Sequence, residues 1–163
     1  MKKLFILLFF VLIVTEQSYG QWKKLFDFGS GIRTIYFKEF SSTPLEGFVS
    51  VDGGTSKSNK LWRTLDGGQR WTLVSYPADN HGWYPTPGSF TFKNQNEGWF
   101  SEFLGHCVYR TVDGGASWVQ IVADVPESQI LYIPSTDRLI LSGSPTYSYS
   151  TDGINFTPFS ITG

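Results

Sequence analysis

The chain has a single cysteine, Cys107, so no disulfide can form within it. Small exported domains usually lean on disulfides, so this one must hold itself together by packing and hydrogen bonding. Histidine is scarce too: His81 and His106, with Cys107, are spaced unlike any metal-ligand pattern, and no metal site or other cofactor is implied. Basic residues do not exceed acidic ones and nowhere form a run, which removes the electrostatic footprint that nucleic-acid binding requires. No segment repeats apolar residues at helical spacing over a useful length. The one unbroken apolar run, Leu4 to Val14, spans 11 residues, well short of the ~20 that a membrane-crossing helix needs.

That run follows Lys2 and Lys3 and leads to Ser18-Tyr19-Gly20, with small residues at the −3 and −1 positions of a cleavage site. Residues 1–20 therefore read as a secretory signal peptide, and contact with a membrane is expected only through this segment if it stays uncleaved. Without Lys2, Lys3 and Glu16, the remaining 143 residues carry 11 basic and 13 acidic side chains. An exported chain without disulfides points to a bacterial setting: periplasm, cell surface or medium.

What is abundant is glycine and aromatic side chain: 17 Gly and 6 Trp, with aromatics at 17% of the chain. That composition suits short strands and tight turns. Three segments say nearly the same thing: Thr64-Leu65-Asp66-Gly67-Gly68-Gln69-Arg70-Trp71, Thr111-Val112-Asp113-Gly114-Gly115-Ala116-Ser117-Trp118 and Ser150-Thr151-Asp152-Gly153-Ile154-Asn155-Phe156. The third is one residue shorter before its aromatic. The aspartates lie 47 and 39 residues apart, the size of a propeller blade of four short strands. Alternating segments fill each unit: 32–37, 47–51, 60–64 and 71–74; then 89–92, 98–101, 108–111 and 118–121; then 130–133, 139–142, 147–150 and 156–159. Pro158 fits only an outer edge strand, where a missing N–H is tolerated.

The Ser/Thr-x-Asp-(x)-Gly-x-x-Trp/Phe pattern resembles the Asp-box, or bacterial neuraminidase repeat, of sialidase-like β-propellers. The longer pattern, with a Gly-Trp/Phe second strand and Arg-Thr before the box, is similar to photosystem II assembly and stability factor-like proteins and to sortilin-type propellers. The fold expected is all-β: three four-stranded antiparallel blades at about 32–76, 88–122 and 128–161, within a propeller segment spanning 21–163. The segment 21–28 reads as a lone fourth strand, because Trp22 resembles Trp71 and Trp118. Three blades do not close a propeller. The chain is therefore expected to be an incomplete propeller, a fragment of a longer one; closure by an oligomer and an open stack are the alternatives.

Within each box the hydroxyl and carboxylate can fold back on the turn N–H groups, glycine supplies positive φ, and the aromatic packs between blades. Thr64, Asp66, Gly68 and Trp71, Thr111, Asp113, Gly115 and Trp118, and Ser150, Asp152, Gly153 and Phe156 are therefore assigned structural roles. The boxes occupy the turns between third and fourth strands, so they mark one face of the blades. In propellers of this resemblance the ligand site lies on the other face. There the connector Pro77–Gly88 brings Asp79, His81, Trp83 and Tyr84, and the loop near Leu104 brings Glu102 and His106, as candidate ligand-binding residues. A Cys107–His106 nucleophile pair is disfavoured because neighbours on a strand point to opposite sides. A sialidase would need three clamping arginines and an early Phe-Arg-Ile-Pro segment, and Gly31-Ile32-Arg33-Thr34 does not match it. No catalytic residue is assigned. The expected function is a non-enzymatic, exported binding surface for an unidentified protein or carbohydrate. The alternative is part of a sialidase-like glycoside hydrolase, with two carboxylates drawn from Asp52, Asp79, Glu102 and Asp124.

Overall fold

The computed structural model describes residues 26–29, 31–39, 45–55, 59–78, 87–102, 107–123, 129–143 and 147–160. Twelve strands run through them: β1 (Gly31–Phe37), β2 (Gly47–Asp52), β3 (Lys60–Thr64), β4 (Thr72–Val74), β5 (Pro87–Phe92), β6 (Gly98–Glu102), β7 (Cys107–Thr111), β8 (Val119–Ala123), β9 (Gln129–Ile133), β10 (Arg138–Ser142), β11 (Tyr147–Ser150) and β12 (Thr157–Phe159). They form three four-stranded sheets in the orders β1-β2-β3-β4, β5-β6-β7-β8 and β9-β10-β11-β12, with every pairing antiparallel. Each sheet is a simple meander, the blade of a propeller, and the three make an incomplete propeller. Pro158 lies on β12, the free edge of the third blade.

One sequence expectation needs correction. Trp71, Trp118 and Phe156 stand just before the fourth strands rather than beginning them, because the turn's side-chain bonds hold the backbone until one residue later. The expected lone strand at 21–28 centres on residues 21–25, which lie outside the described residues; 26–28 are not in a strand. Instead Phe26 and Phe28 lay their rings on blade 1: Phe26 is 5.4 Å from Trp62, and Phe28 is 5.3 Å from Trp71.

Strand alternation gives every sheet two faces. In blade 1, Thr34, Tyr36, Phe48, Ser50 and Arg63 share the face toward blade 2, since Tyr36 pairs with Phe48, Phe48 with Arg63 and Thr34 with Ser50. Phe90, Phe92, Phe100, Tyr109 and Trp118 come from blade 2 to meet it. The rings of Tyr36 and Phe48 stack on Phe90 and Phe92 at 5.5–5.8 Å, and the Trp118 indole closes the cluster edge-on. Each such ring pair contributes about 0.5–1.5 kcal/mol beyond the area it buries. A second core, with Trp99, Val108, Ile130, Leu139 and Leu141, joins blades 2 and 3.

Inner strands also touch through hydroxyls. Thr34 Oγ1 donates to the Gly88 carbonyl at 3.1 Å, and Ser50 Oγ to that of Pro87 at 2.8 Å. One blade on, Ser89 Oγ donates to the Ile130 carbonyl and Thr91 Oγ1 accepts from the Tyr132 N–H at 3.0 Å. The same register position thus makes the same kind of contact twice, which is the repeat working at the level of packing.

Candidate functional site

Two sets of turns frame the blades, and the boxes define one of them. In the first box Thr64 Oγ1 donates to Asp66 Oδ1 at 2.9 Å while accepting the Gly68 N–H at 2.8 Å. Asp66 Oδ1 also accepts the Arg70 N–H at 2.8 Å. The second box repeats this with Thr111, Asp113, Gly115 and the Ser117 N–H, and Ser117 Oγ adds a bond to Asp113 Oδ2 at 2.6 Å. The third, one residue shorter, uses Ser150, Asp152 and the N–H groups of Gly153, Ile154 and Asn155. Each carboxylate is thus engaged by its own hairpin, and each sits in a different sheet.

The titration follows from those bonds. The Arg70 N–H holds Asp66 below the ordinary carboxylate range, and the Asn155 backbone and side chain do the same to Asp152. Burial pulls Asp113 upward, but the Ser117 and Thr111 hydrogen bonds outweigh it and bring its carboxyl down to about 2.

The box glycines do more than turn the chain. Gly115, at φ +88°, lies so close to the buried Phe48 ring that a Cβ there would stand 2.3 Å from it. Gly153, at φ +73°, meets Trp99 in the same way, and Trp99 Nε1 donates to the Gly153 carbonyl at 2.9 Å. Each second-strand aromatic therefore docks on the next blade's box.

Beside the second box lies a residue that sequence reasoning missed. Lys38 is 2% exposed, and its ammonium donates to Glu46 Oε2 at 2.7 Å, the Gln95 carbonyl at 2.7 Å and the Gly114 carbonyl at 3.0 Å. It also rests 4.4 Å from the Phe92 ring centre. Burial lowers its pKa, and Glu46 opposes that shift. At the next junction the counterpart Lys93 instead pairs with Asp137 at 2.6 Å, while Tyr132 donates its hydroxyl to the same carboxylate. The shortened third box has a single glycine where the second has Gly114 and Gly115, and Lys93 binds the Asp137 carboxylate where Lys38 binds a box carbonyl. A cleft of about 40 Å³ remains between Lys93, Trp99, Tyr132, Asp137 and Asp152, room for about one water. The available signal was the repeat of Phe-Lys and Glu-Gly, in Phe37-Lys38 with Glu46-Gly47 and Phe92-Lys93 with Glu97-Gly98.

Of the candidates expected opposite the boxes, Asp79, His81, Trp83, Tyr84 and His106 lie outside the described residues, as does Asp124. Glu102 ends β6 and is 6% exposed, with the fully buried Cys107 thiol 4.0 Å from its carboxylate. It is a core-lining group, not an open contact. At the start of the 77–88 connector, Tyr109 donates its hydroxyl to the Pro77 carbonyl at 3.0 Å. Near the β2 end, Arg33 binds Asp52 through Nε at 3.1 Å and Nη2 at 2.5 Å, which lowers the Asp52 pKa. Among the described residues, no group of three His, Cys, Asp or Glu side chains gathers as a metal would require.

Stacked four-stranded meanders, each stapled by a Ser/Thr-x-Asp turn, define the fold as that of β-propeller blades. Solved structures agree on the fold. YCF48 bound to D1 peptide matches with TM-score 0.51 and 22% identity over 72% of this chain. An ancestral GH74 enzyme matches with TM-score 0.57 and 16% identity over 81% of it. An auxiliary nutrient binding protein from Bacteroides thetaiotaomicron matches with TM-score 0.50 and 14% identity over 78%. The chain spans 36%, 18% and 31% of those three structures. No family model matches its sequence, and no curated protein does either.

Proposed function

We propose that this chain is an exported, non-enzymatic Asp-box propeller segment whose loop face, opposite the boxes, binds a protein segment or a glycan. The observation that carries the reading is the occupation of all three box carboxylates by their own hairpins. The box face is thereby committed to holding the blades, and the 77–88 connector with Trp83 and Tyr84 becomes the aromatic candidate on the other side. Flat aromatic rings suit both sugar faces and peptide side chains. The likeness to YCF48 bound to D1 peptide and to a nutrient binding protein supports binding as the mode. Export in a bacterium is part of the same proposal and rests on the character of residues 1–20.

A second reading has its own support: the GH74 likeness favours a portion of a glycoside hydrolase. Screening the full chain against peptide and oligosaccharide libraries, with product analysis of each glycan, separates the two. Retention of a ligand without turnover, weakened at least ~10-fold by Trp83→Ala with Tyr84→Ala, supports the binding reading. Release of shorter glycans would transfer the case to the hydrolase.

A further inference from the structure

Among aspartyl peptides, Asp-Gly rearranges most readily without an enzyme. The glycine nitrogen attacks the preceding side-chain carboxyl, because no Cβ stands in its way. A C–N bond forms, the carboxyl OH leaves with the amide proton as water, and a five-membered succinimide closes. Water then opens the ring at either carbonyl, leaving aspartate or isoaspartate. One water leaves and one returns, so no cofactor or oxidant is needed. This sequence holds four such steps: Asp52-Gly53, Asp66-Gly67, Asp113-Gly114 and Asp152-Gly153. Three belong to the boxes. The fourth lies where β2 ends, at the other end of its blade.

Exposure does not single out the fourth, since Asp113 and Asp152 are more open than Asp52. Ionisation does not either, because all four carboxyls are held below their ordinary range. The hold on the attacking nitrogen differs. In the first two boxes the Gly67 and Gly114 N–H groups donate to the Leu45 and Asn96 carbonyls of the neighbouring turn, each at 2.8 Å. In the third the buried Gly153 N–H donates to Ser150 Oγ at 2.9 Å, and that hydroxyl is itself fixed on Asp152 Oδ1. Main-chain N–H groups of Arg70, Ser117 and Asn155 hold the box carboxylates. Nitrogen and carboxyl there can meet only when a hairpin opens. Asp52-Gly53 is held by side chains instead. The Gly53 N–H donates to Asn59 Oδ1 at 3.2 Å, and the carboxylate accepts from the half-exposed Arg33 guanidinium. Its one main-chain donor, the Gly54 N–H at 2.8 Å, comes from the loop itself. Rotation of Asn59 and Arg33 releases both reacting groups while the strands stay paired.

We propose that Asp52-Gly53 is the isoaspartate-forming site of the folded protein, and that each Asp-box shields the same dipeptide from this reaction. Isoaspartate at this site adds a methylene to the main chain where Asp52 pairs with Gly31, and moves the carboxylate off Arg33. Its effect falls on the end of blade 1 away from the box. The proposal is independent of the binding reading, because no ligand enters it.

The test is incubation of the full chain at neutral pH in heavy-oxygen water, followed by trypsin digestion in ordinary water. Cleavage after lysine and arginine puts the four steps on separate peptides, 39–57, 64–70, 111–138 and 139–163. Each ring opening leaves one heavy oxygen, and chromatography separates isoaspartyl from aspartyl forms of each peptide. A chain unfolded in urea supplies the unprotected rate for every step. The expected result is similar labelling of all four in urea, but label and isoaspartate several-fold ahead in 39–57 for the folded chain. Asn59→Ala and Arg33→Ala should each speed labelling at Asp52 and leave the box peptides unchanged. Even labelling of the four peptides in the folded chain overturns the proposal, as does a box peptide in the lead. Protection of Asp52 equal to that of the boxes overturns it too, and so does a rate at Asp52 that neither variant raises.

Discussion

Replacing Lys38 with methionine removes a buried ammonium but keeps the apolar stem that lies along Phe92. The cost has two parts. The Gln95 and Gly114 carbonyls lose a charged donor, worth about 1.5–3 kcal/mol per bond at the upper end. Glu46 loses its closest cation, and breaking a buried ion pair from one side costs about 3–5 kcal/mol. Glu46 is 33% exposed and retains Arg63 at 3.6 Å, which softens the second part. Methionine also removes the desolvation penalty of the buried ammonium, several kcal/mol that offset much of both parts, and leaves an expected net loss of about 2–4 kcal/mol. Lys93→Met is the internal control, because its partner Asp137 is 59% exposed and the pair is a surface one worth at most about 1 kcal/mol. Urea unfolding followed by tryptophan fluorescence measures both. A Lys38→Met chain within about 1 kcal/mol of the parent, or equal losses for the two variants, would refute a stabilising role for the buried Lys38 ammonium.

Gly115→Ala should cost about 2–5 kcal/mol, combining positive φ with overpacking against Phe48, while Gly54→Ala, at φ +81° in open space, should cost only about 1–2 kcal/mol; thermal unfolding checks the difference. Asp66→Asn should lower the melting temperature yet leave ligand retention intact, and loss of retention at an unchanged melting temperature would contradict the structural role. Because Asp66, Asp113 and Asp152 all have depressed pKa values, their stabilisation is fully present above the unfolded carboxylate value near pH ~4. It is lost as pH falls towards the folded values, about 2 for Asp113. Denaturant midpoints measured between neutral and acid pH should therefore drop at the acid end, and the drop should be shallower in Asp113→Asn.

The blades were legible because their signals are local. Alternation over five residues, a glycine turn and a hydroxyl–carboxylate pair two apart are complete within one hairpin, and Asp66, Asp113 and Asp152 all fold back as their spacing implied. Lys38 was not legible, since its acceptors at Gln95 and Gly114 lie 57 and 76 residues away and come from the next blade. The ring contacts of Phe26 and Phe28 with Trp62 and Trp71 were not legible either, since they join segments 34 or more residues apart. Glu102 looked like a loop carboxylate in sequence, but strand β6 carries it into the core beside Cys107.

The most direct test of the account is to compare two variants for ligand retention and stability together: Asp66→Asn on the box face, and Trp83→Ala with Tyr84→Ala on the connector opposite. The account predicts that the first loses stability and keeps its peptide or glycan, while the second keeps its melting temperature and loses the ligand by ~10-fold or more. The reverse pattern, with binding destroyed at Asp66 and untouched at Trp83 and Tyr84, would contradict it.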